Sequence, residues 1–176
     1  MRNVLSMTAA LLLLGLVAPP AWSQVESIEM RVDGLACPFC AYGLEKKLKE
    51  VPGVSNVEIR VNGGIVILRS EKGESIDVDG LKPAVKEAGF TEREIAATAT
   101  GNVVTVEHRS VLEIRGTDTE FLLEENPILK DLQSKLKGTE HVRLTGRLEQ
   151  GTSGEHHGYP FIMTVETFEL RGSGTE

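Results

Sequence analysis

Cysteine, aromatic side chains and positive charge are all scarce in this chain of 176 residues. Aromatic residues make up 5% of it, there are two cysteines, and 19 Lys and Arg residues are outnumbered by 26 Asp and Glu residues, for a formal net charge of −7. Proteins that bind nucleic acid without sequence preference need clustered cations. The acidic balance therefore argues against a nucleic-acid partner.

Motifs for most kinds of enzyme chemistry are also missing. The sequence has no Ser, His and Asp residues at a spacing typical of a nucleophilic triad, no phosphate-binding glycine loop and no paired-carboxylate motif. We therefore predict that the protein is not an enzyme, with a thiol–disulfide redox role left open by its two cysteines.

The first 23 residues have the pattern of a secretory signal peptide. Arg2 supplies positive charge, residues 9–18 are almost wholly apolar, and small residues follow at Ala21 and Ser23. The apolar run is too short to span a bilayer, which takes about 20 residues; an uncleaved anchor is the alternative. We predict cleavage, a periplasmic chain of residues 24–176 and no stable membrane insertion. Loss of Arg2 changes the net charge from −7 to −8.

The two cysteines lie where a strand pattern turns into a helix pattern. Before them, Ile28, Met30 and Val32 alternate with charged residues, which indicates a half-buried strand. After them, apolar residues recur at helical spacing, at Ala41, Leu44, Leu48 and Val51. Cys40 is expected in the first helical turn, where free N–H groups and the helix dipole favour a thiolate. A disulfide from Cys37 to Cys40 would constrain little of the unfolded chain, so we expect these thiols to do chemistry.

Residues 24–97 predict the order strand, helix, strand, strand, helix, strand. An alternating run at 57–61 and an apolar run at 65–68, joined by Asn-Gly-Gly, predict a β-hairpin. Asp77 or Asp79 is the expected N-cap of the second helix. Its apolar face is formed by Leu81, Val85 and Ala88. This order is that of a ferredoxin-like fold, an antiparallel four-stranded sheet with both helices on one face.

Four motifs within about residues 26–95 resemble one known family. They are Gly34-Leu35-Ala36-Cys37-Pro38-Phe39-Cys40, Val51-Pro52-Gly53-Val54, the alternating Val57, Ile59 and Val61, and Ala88-Gly89-Phe90. Together they resemble the heavy-metal-associated domain, found in copper chaperones, copper-exporting ATPases and the periplasmic mercury-binding protein. The resemblance implies a ferredoxin-like fold, with Cys37 and Cys40 as metal ligands. It also implies that Leu35 is an apolar core plug and that Phe90 lies close to the metal.

The chemistry of two thiolates at this spacing suits a low-coordinate soft ion. Cu(I) and Hg(II) accept two sulfur ligands, whereas Zn(II) takes four, and the chain has no second Cys-x-x-Cys motif. Two ligands leave the ion open to a third sulfur from a partner. We therefore predict that one ion per chain is captured, or delivered to a membrane metal transporter or another thiol metal-binding protein.

The alternative is a periplasmic dithiol–disulfide oxidoreductase that uses the same cysteine pair. Cys-Pro-Phe-Cys also resembles thioredoxin-like and glutaredoxin-like active sites. Those folds place a continuous apolar strand before the motif, whereas the strand before Cys37 alternates. Metal binding is the favoured interpretation, and a domain that serves only as an interaction module is a third.

Residues 98–176 predict a second, mostly β domain, so the chain as a whole is α+β. A small-residue linker is expected at 98–102. Three strands, a helix with Asn126 as N-cap and Pro127 at its first position, and two strands give the element order of an OB-like barrel; a small sandwich also fits. With eight Lys and Arg against 13 Asp and Glu, this segment is expected to bind a partner protein or to stabilise the chain, not to bind nucleic acid.

The histidines support weaker hypotheses. His156 and His157 lie in a polar hairpin loop and His141 on a strand, where imidazoles are possible metal ligands. An adjacent pair in a polar loop is more often solvated. His108 is expected at the surface.

The first helix also presents a basic face beside the cysteine motif. Lys46, Lys47 and Lys49 form either a solvated surface or a docking patch for an acidic partner. Tyr42, next to the motif, is expected to pack on it or to face solvent.

Overall fold

Eleven helices and strands make up the described part of the chain. A computed structural model describes residues 24–138, 141–151 and 158–171. The elements are β1 (Gln24–Asp33), α1 (Pro38–Lys49), β2 (Asn56–Arg60), β3 (Ile65–Arg69), α2 (Leu81–Glu87), β4 (Thr91–Val106), β5 (Arg109–Glu113), β6 (Glu120–Leu123), α3 (Pro127–Lys135), β7 (His141–Gln150) and β8 (Phe161–Arg171).

Two predictions fall outside the described residues. They are the signal peptide at residues 1–23 and the histidine pair His156 and His157. Within the ranges given above, none of the helices has the length and apolar character needed to cross a membrane.

The first half of the described chain confirms the predicted order of elements. Strands β2, β3, β1 and β4 lie side by side and are antiparallel throughout. The expected hairpin is β2–β3, in which Val57 is opposite Leu68. Alternate residues of β1 are buried, as are the apolar faces of both helices. The core of this half is formed by Ile28, Met30, Leu44, Leu48, Leu68, Leu81 and Val85.

Strand β4 is far longer than expected, and the predicted linker at 98–102 is wrong. The 16 residues of β4 run through this segment without interruption. Thr98 lies opposite Ser27 of β1 on one side and opposite Thr145 of β7 on the other. Small residues are needed here because Ala97 and Ala99 are buried inside a strand paired on both edges, and a Cβ on Gly101 would overlap the carbonyl oxygen of Glu113. What looked like linker composition is tight packing.

Five strands of the second half close into a ring in the order β4, β5, β6, β8, β7 and back to β4. All neighbours are antiparallel except β6 and β8, which are parallel. The whole sheet is therefore mixed. The ring shares β4 with the first sheet, so the division into domains at 24–97 and 98–176, and the OB-like assignment of the second, stay predictions. The ring encloses Leu112, Phe121, Leu144, Met163 and Val165.

The two later helices begin in different ways. Asn126 caps α3 as predicted, because its Oδ1 accepts the backbone N–H of Leu129 at 2.8 Å. The predicted cap of α2 by Asp77 or Asp79 is wrong, because Gly80 is the N-cap and makes no side-chain cap bond. Asp77 instead accepts the backbone N–H of Asp79 at 3.1 Å, a local turn that competes with capping.

A carboxylate ties the two halves together beside the shared strand. Glu26 sits in a bulge of β1, where Val25 and Ser27 face consecutive residues of β4. Its Oε1 accepts a hydrogen bond from the hydroxyl of Thr100 at 2.5 Å, and its Oε2 accepts one from Nε of Arg143 at 2.8 Å. One partly buried side chain thus links β1, β4 and β7.

We predict that Glu26→Ala lowers the free energy of unfolding by about 1–3 kcal/mol, since it removes a charged acceptor and leaves the Thr100 hydroxyl buried without its partner. Glu29→Ala is the matched control, because Glu29 is an exposed carboxylate on the same strand and should change stability by less than about 0.5 kcal/mol. Urea denaturation measures both, and equal losses would contradict the bridging role.

Candidate metal centre

The cysteine motif occupies the loop between β1 and the first turn of α1. Gly34 ends the strand with φ +86°, a left-handed conformation that favours glycine. Cys37 is the N-cap of α1, and its Sγ accepts the backbone N–H of Cys40 at 3.2 Å. Pro38 follows in the first turn, where its missing N–H is not needed. The sulfur of Cys37 therefore takes the place that a serine or aspartate oxygen usually fills.

The two sulfur atoms are close enough to be joined. Cys37 and Cys40 form a disulfide, with their Cα atoms 5.4 Å apart. Cys37 is half-buried and Cys40 is exposed. Across the described ranges, no group of three or more His, Cys, Asp or Glu side chains is placed to hold a metal ion. In its reduced form the site would offer two thiols and, from the described residues, no third His, Cys, Asp or Glu ligand.

Apolar residues support the loop from beneath. Leu35 is 6% exposed and belongs to the hydrophobic core, which agrees with its expected role as a plug. The ring of Phe90 reaches the loop, because a Cβ built on Gly34 would lie 3.7 Å from Phe90 Cδ1. The backbone at the motif is thus anchored while the cysteine side chains remain accessible.

Two aromatic side chains beside the cysteines face solvent. Phe39, between the cysteines, is 92% exposed, and Tyr42 is 71% exposed. Contiguous exposed apolar patches mark sites of contact with other molecules, whereas single exposed side chains need no explanation. Tyr42 was expected either to pack on the cysteine motif or to face solvent, and in the structure it faces solvent.

The basic face of α1 is largely neutralised by neighbouring carboxylates. Lys47 Nζ lies 3.1 Å from a carboxylate oxygen of both Glu50 and Glu87, and hydrogen bonds to these two groups raise the pKa of Lys47. Lys49 pairs with Glu45 at 2.6 Å. Lys46 is exposed and makes no ion pair with a described residue. Of the three lysines expected to form a docking patch, Lys46 is therefore the one that remains without a described carboxylate partner.

The described histidines do not join the cysteine pair. His108 has φ +67° and is exposed, in the turn between β4 and β5, as expected of a surface residue. His141 lies on β7, where burial and the charge of Arg115 lower its pKa. Its Nδ1 is buried and has no hydrogen-bond partner among the residues that the structure describes.

Two neighbouring cysteines at the start of a helix, on a ferredoxin-like arrangement of strands, define a class of small metal-binding or redox modules. Residues 29–91 match the family model described as heavy-metal-associated domain. The resemblance inferred from the sequence motifs is therefore confirmed for this part of the chain.

Relatives of two kinds match the same region. The copper-transporting ATPase 1 of Rhizobium meliloti is 33% identical over 92 residues, covering 49% of this chain. The copper-exporting P-type ATPase of Mycobacterium tuberculosis is 32% identical over 68 residues, covering 39% of this chain. The matched segments make up only 10% and 8% of these two proteins. The mercuric transport protein periplasmic component of Pseudomonas aeruginosa is 27% identical over 81 residues, covering 46% of this chain and 88% of its own.

Among solved structures, the N-terminal domain of PacS from Synechocystis PCC6803 covers 39% of this chain and 94% of its own length. It is 24% identical with a TM-score of 0.34, which is too low to establish a common fold. The comparisons show that residues 29–91 match a heavy-metal-associated domain, and that this region is related to copper-transporting ATPases and mercuric transport proteins. The roles of Cys37 and Cys40 as ligands stay predictions.

We predict that, in the reduced protein, Cys37→Ser leaves the stability nearly unchanged, because a serine oxygen can accept the N–H of Cys40. Cys37→Ala removes the cap and should lower the free energy of unfolding by about 0.5–1 kcal/mol. Urea denaturation under reducing conditions measures both variants. Equal stability of the two variants would show that Cys37 does not cap α1. Because serine is expected to keep the cap, serine variants are the better controls for metal binding.

Proposed function

We propose that this protein is an exported carrier that takes one soft metal ion, Cu(I) or Hg(II), as cargo. Cys37 and Cys40 hold the ion through their sulfur atoms. The carrier passes it to a membrane metal transporter or to another thiol protein. The observation that supports this most is the neighbouring pair Cys37 and Cys40, of which Cys40 is exposed, with no third described ligand, in a segment that matches the heavy-metal-associated domain.

The donor set suits a soft ion that must also be released. Thiolate sulfur prefers Cu(I) and other soft ions over hard oxygen-seeking ions. A four-coordinate structural zinc site needs two more ligands than the described residues supply. Cys40 is exposed, so a sulfur of a partner has access to the bound ion. Stepwise ligand exchange then moves the ion without leaving it free in solution.

The start of α1 favours the anionic form of the ligands. No acidic residue lies in its first turn, and three lysines lie in its last turn. The positive end of the helix dipole is therefore uncompensated at the cysteines. The Cys40 N–H that donates to Cys37 Sγ acts in the same direction. A thiolate is the form that binds metal.

Reduction must precede loading. Two electrons and two protons convert the Cys37–Cys40 disulfide to two thiols, and binding of the ion then displaces the protons. Exported proteins meet an oxidising environment. A reducing partner is thus part of the proposed cycle.

Location and the second half of the chain complete the proposal. Export through residues 1–23 would place the carrier in the periplasm, where the matching mercuric transport protein is a periplasmic component by name. We assign the ring of strands that follows to an OB-like module that contacts a partner or stabilises the chain. The parallel pairing of β6 with β8 and the position of α3 between β6 and β7 support this assignment.

The test is a titration of the reduced protein lacking residues 1–23 with Cu(I) and, separately, with Hg(II), each against a competing chelator. We expect one ion per chain, and a loss of affinity in Cys37→Ser/Cys40→Ser larger than the 10- to 100-fold that removal of an outer-shell partner typically costs. Circular dichroism of the double variant checks that it is folded. Unchanged affinity in the double variant would overturn the proposal.

A second candidate function is supported by the disulfide itself. A dithiol–disulfide oxidoreductase would use Cys40, the exposed cysteine, or Cys37 to attack a substrate disulfide and close the same bond. Equilibration with glutathione buffers of known potential, followed by thiol counting, gives the potential of the pair. Failure to bind either metal, together with a potential above about −200 mV, in the range of oxidising catalysts, would favour this function over the carrier.

A further inference from the structure

A crevice opens where β4 and β7 separate. The two strands pair continuously from Ile95 opposite Leu148 to Asn102 opposite His141, and pairing ends beyond Ile95. On the other edge of β4, Met30 faces Ile95 but Val32 faces Glu92, so β4 carries an extra residue just before the separation. Such a bulge bends the strand that carries it. The bend accounts for the divergence of β4 from β7.

The crevice has the size of a binding site. Its volume is about 750 Å³, and its walls come from β1, β4 and α2 on one side and from β7 and β8 on the other. Ligand pockets typically measure roughly 300–1,000 Å³. Four buried residues form its apolar floor: Val78, Leu81, Leu148 and Phe161.

The two faces of the crevice differ in chemistry. On the side of the helices lie the apolar floor and Gln150, whose Oε1 accepts Lys82 Nζ at 2.9 Å. On the open face of the sheet lie charged residues of both signs, which alternate with the buried ones along each strand. These charged residues are Arg31, Glu94, Arg147 and Glu149.

Backbone groups are available between these faces. Thr91 and Glu92 of β4 pair with β1 on one edge only, Arg93 and Glu94 lie in the bulge, and Glu149 and Gln150 of β7 pair only with β8. Among the described residues, their other edges face the crevice without a strand partner. Unpaired strand edges are templates for the addition of an extended chain.

We propose that this crevice binds an extended peptide segment of a partner protein by strand addition. Every second side chain of the segment is apolar and packs against the floor formed by Val78, Leu81, Leu148 and Phe161. The intervening side chains are charged and lie on the open face, where Arg31 meets an acidic residue and Glu94 and Glu149 meet basic ones. Arg147 on the same face is already paired with Glu166 at 3.5 Å.

The distribution of charge argues for a peptide over a small ion of one sign. Arg93 is already paired with Asp33 at 2.6 Å, and Lys82 lies 3.5 Å from Glu92. Arg31, Glu94 and Glu149 make no ion pair with a described residue, so cations and anions both remain available. A single-sign ligand would leave one set uncompensated, whereas a peptide with mixed charges matches both.

The position of the crevice also connects it to the cysteine loop. Asp33, which holds Arg93 at the rim, immediately precedes Gly34 of that loop. A peptide in the crevice would lie against the end of the strand that leads into the cysteine loop. The binding itself needs neither cysteine, so the peptide site is tested independently of metal binding.

The probe is a panel of fluorescein-labelled hexapeptides in which leucine or valine alternates with Glu, Arg or one of each. Fluorescence anisotropy with the full chain measures binding. A matched peptide with N-methylated leucine and valine amides keeps the side chains and removes half of the backbone donors. We expect saturable binding by the mixed-charge peptide, weakened at least tenfold by N-methylation.

Gln150→Trp fills the crevice from its rim, and Lys130→Trp adds the same side chain on the exposed surface of α3 as a control. Gln150→Trp should weaken binding at least tenfold and Lys130→Trp should leave it unchanged, with thermal unfolding confirming that both variants are folded. The proposal is overturned if no peptide of the panel binds, if the N-methylated peptide binds equally well, or if Gln150→Trp has no effect.

Discussion

The pairing of β4 on both edges is the constraint on which the rest of the structure depends. Over residues 95–100 this strand is hydrogen-bonded to β1 on one side and to β7 on the other. A strand in that position exposes no edge, and its side chains must fit between two neighbours. The run of alanine and threonine supplies small side chains there, and Glu26 fixes the junction through Thr100 and Arg143. The strands of the segment that matches the heavy-metal-associated domain and the ring of strands consequently form one continuous sheet.

At the cysteine site, the backbone of the loop is anchored by the hydrophobic core, whereas the cysteine side chains lie at the surface. Leu35 is buried beneath the loop and Phe90 lies against Gly34, so the path of the chain is determined by packing. The sulfur atoms are held at the helix start by the capping position of Cys37, and Cys37 is half-buried while Cys40 is exposed. A site of this kind can exchange its ligand without unfolding. Phe39 and Tyr42 add exposed apolar area around it, which a partner surface would cover on contact.

Local patterns were sufficient to predict the elements around the cysteines but not the way the chain is joined. Periodicity located β1, α1 and the β2–β3 hairpin, and Asn126 with Pro127 marked the start of α3. The segment 98–102 was misread because the same small residues are typical of a linker and of a strand packed on both edges. The cap of α2 was misassigned because Asp77 bonds within its own turn. The separation of β4 from β7 depends on a bulge and on the pairing of strands about fifty residues apart, which no local window contains.

The exposure of Cys40 has two opposing consequences, one for metal transfer and one for oxidation of the cysteine pair. In the proposed carrier, accessible sulfur would allow a partner thiol to reach the bound ion, which favours transfer over storage. The same accessibility allows oxidants to reach the pair, and two cysteines with Cα atoms 5.4 Å apart need no backbone movement to form a disulfide. A buried third ligand would protect the ion but would also slow its release. The described residues supply none, so in the proposed carrier the loaded fraction would depend on the reducing power of the compartment as well as on the supply of metal.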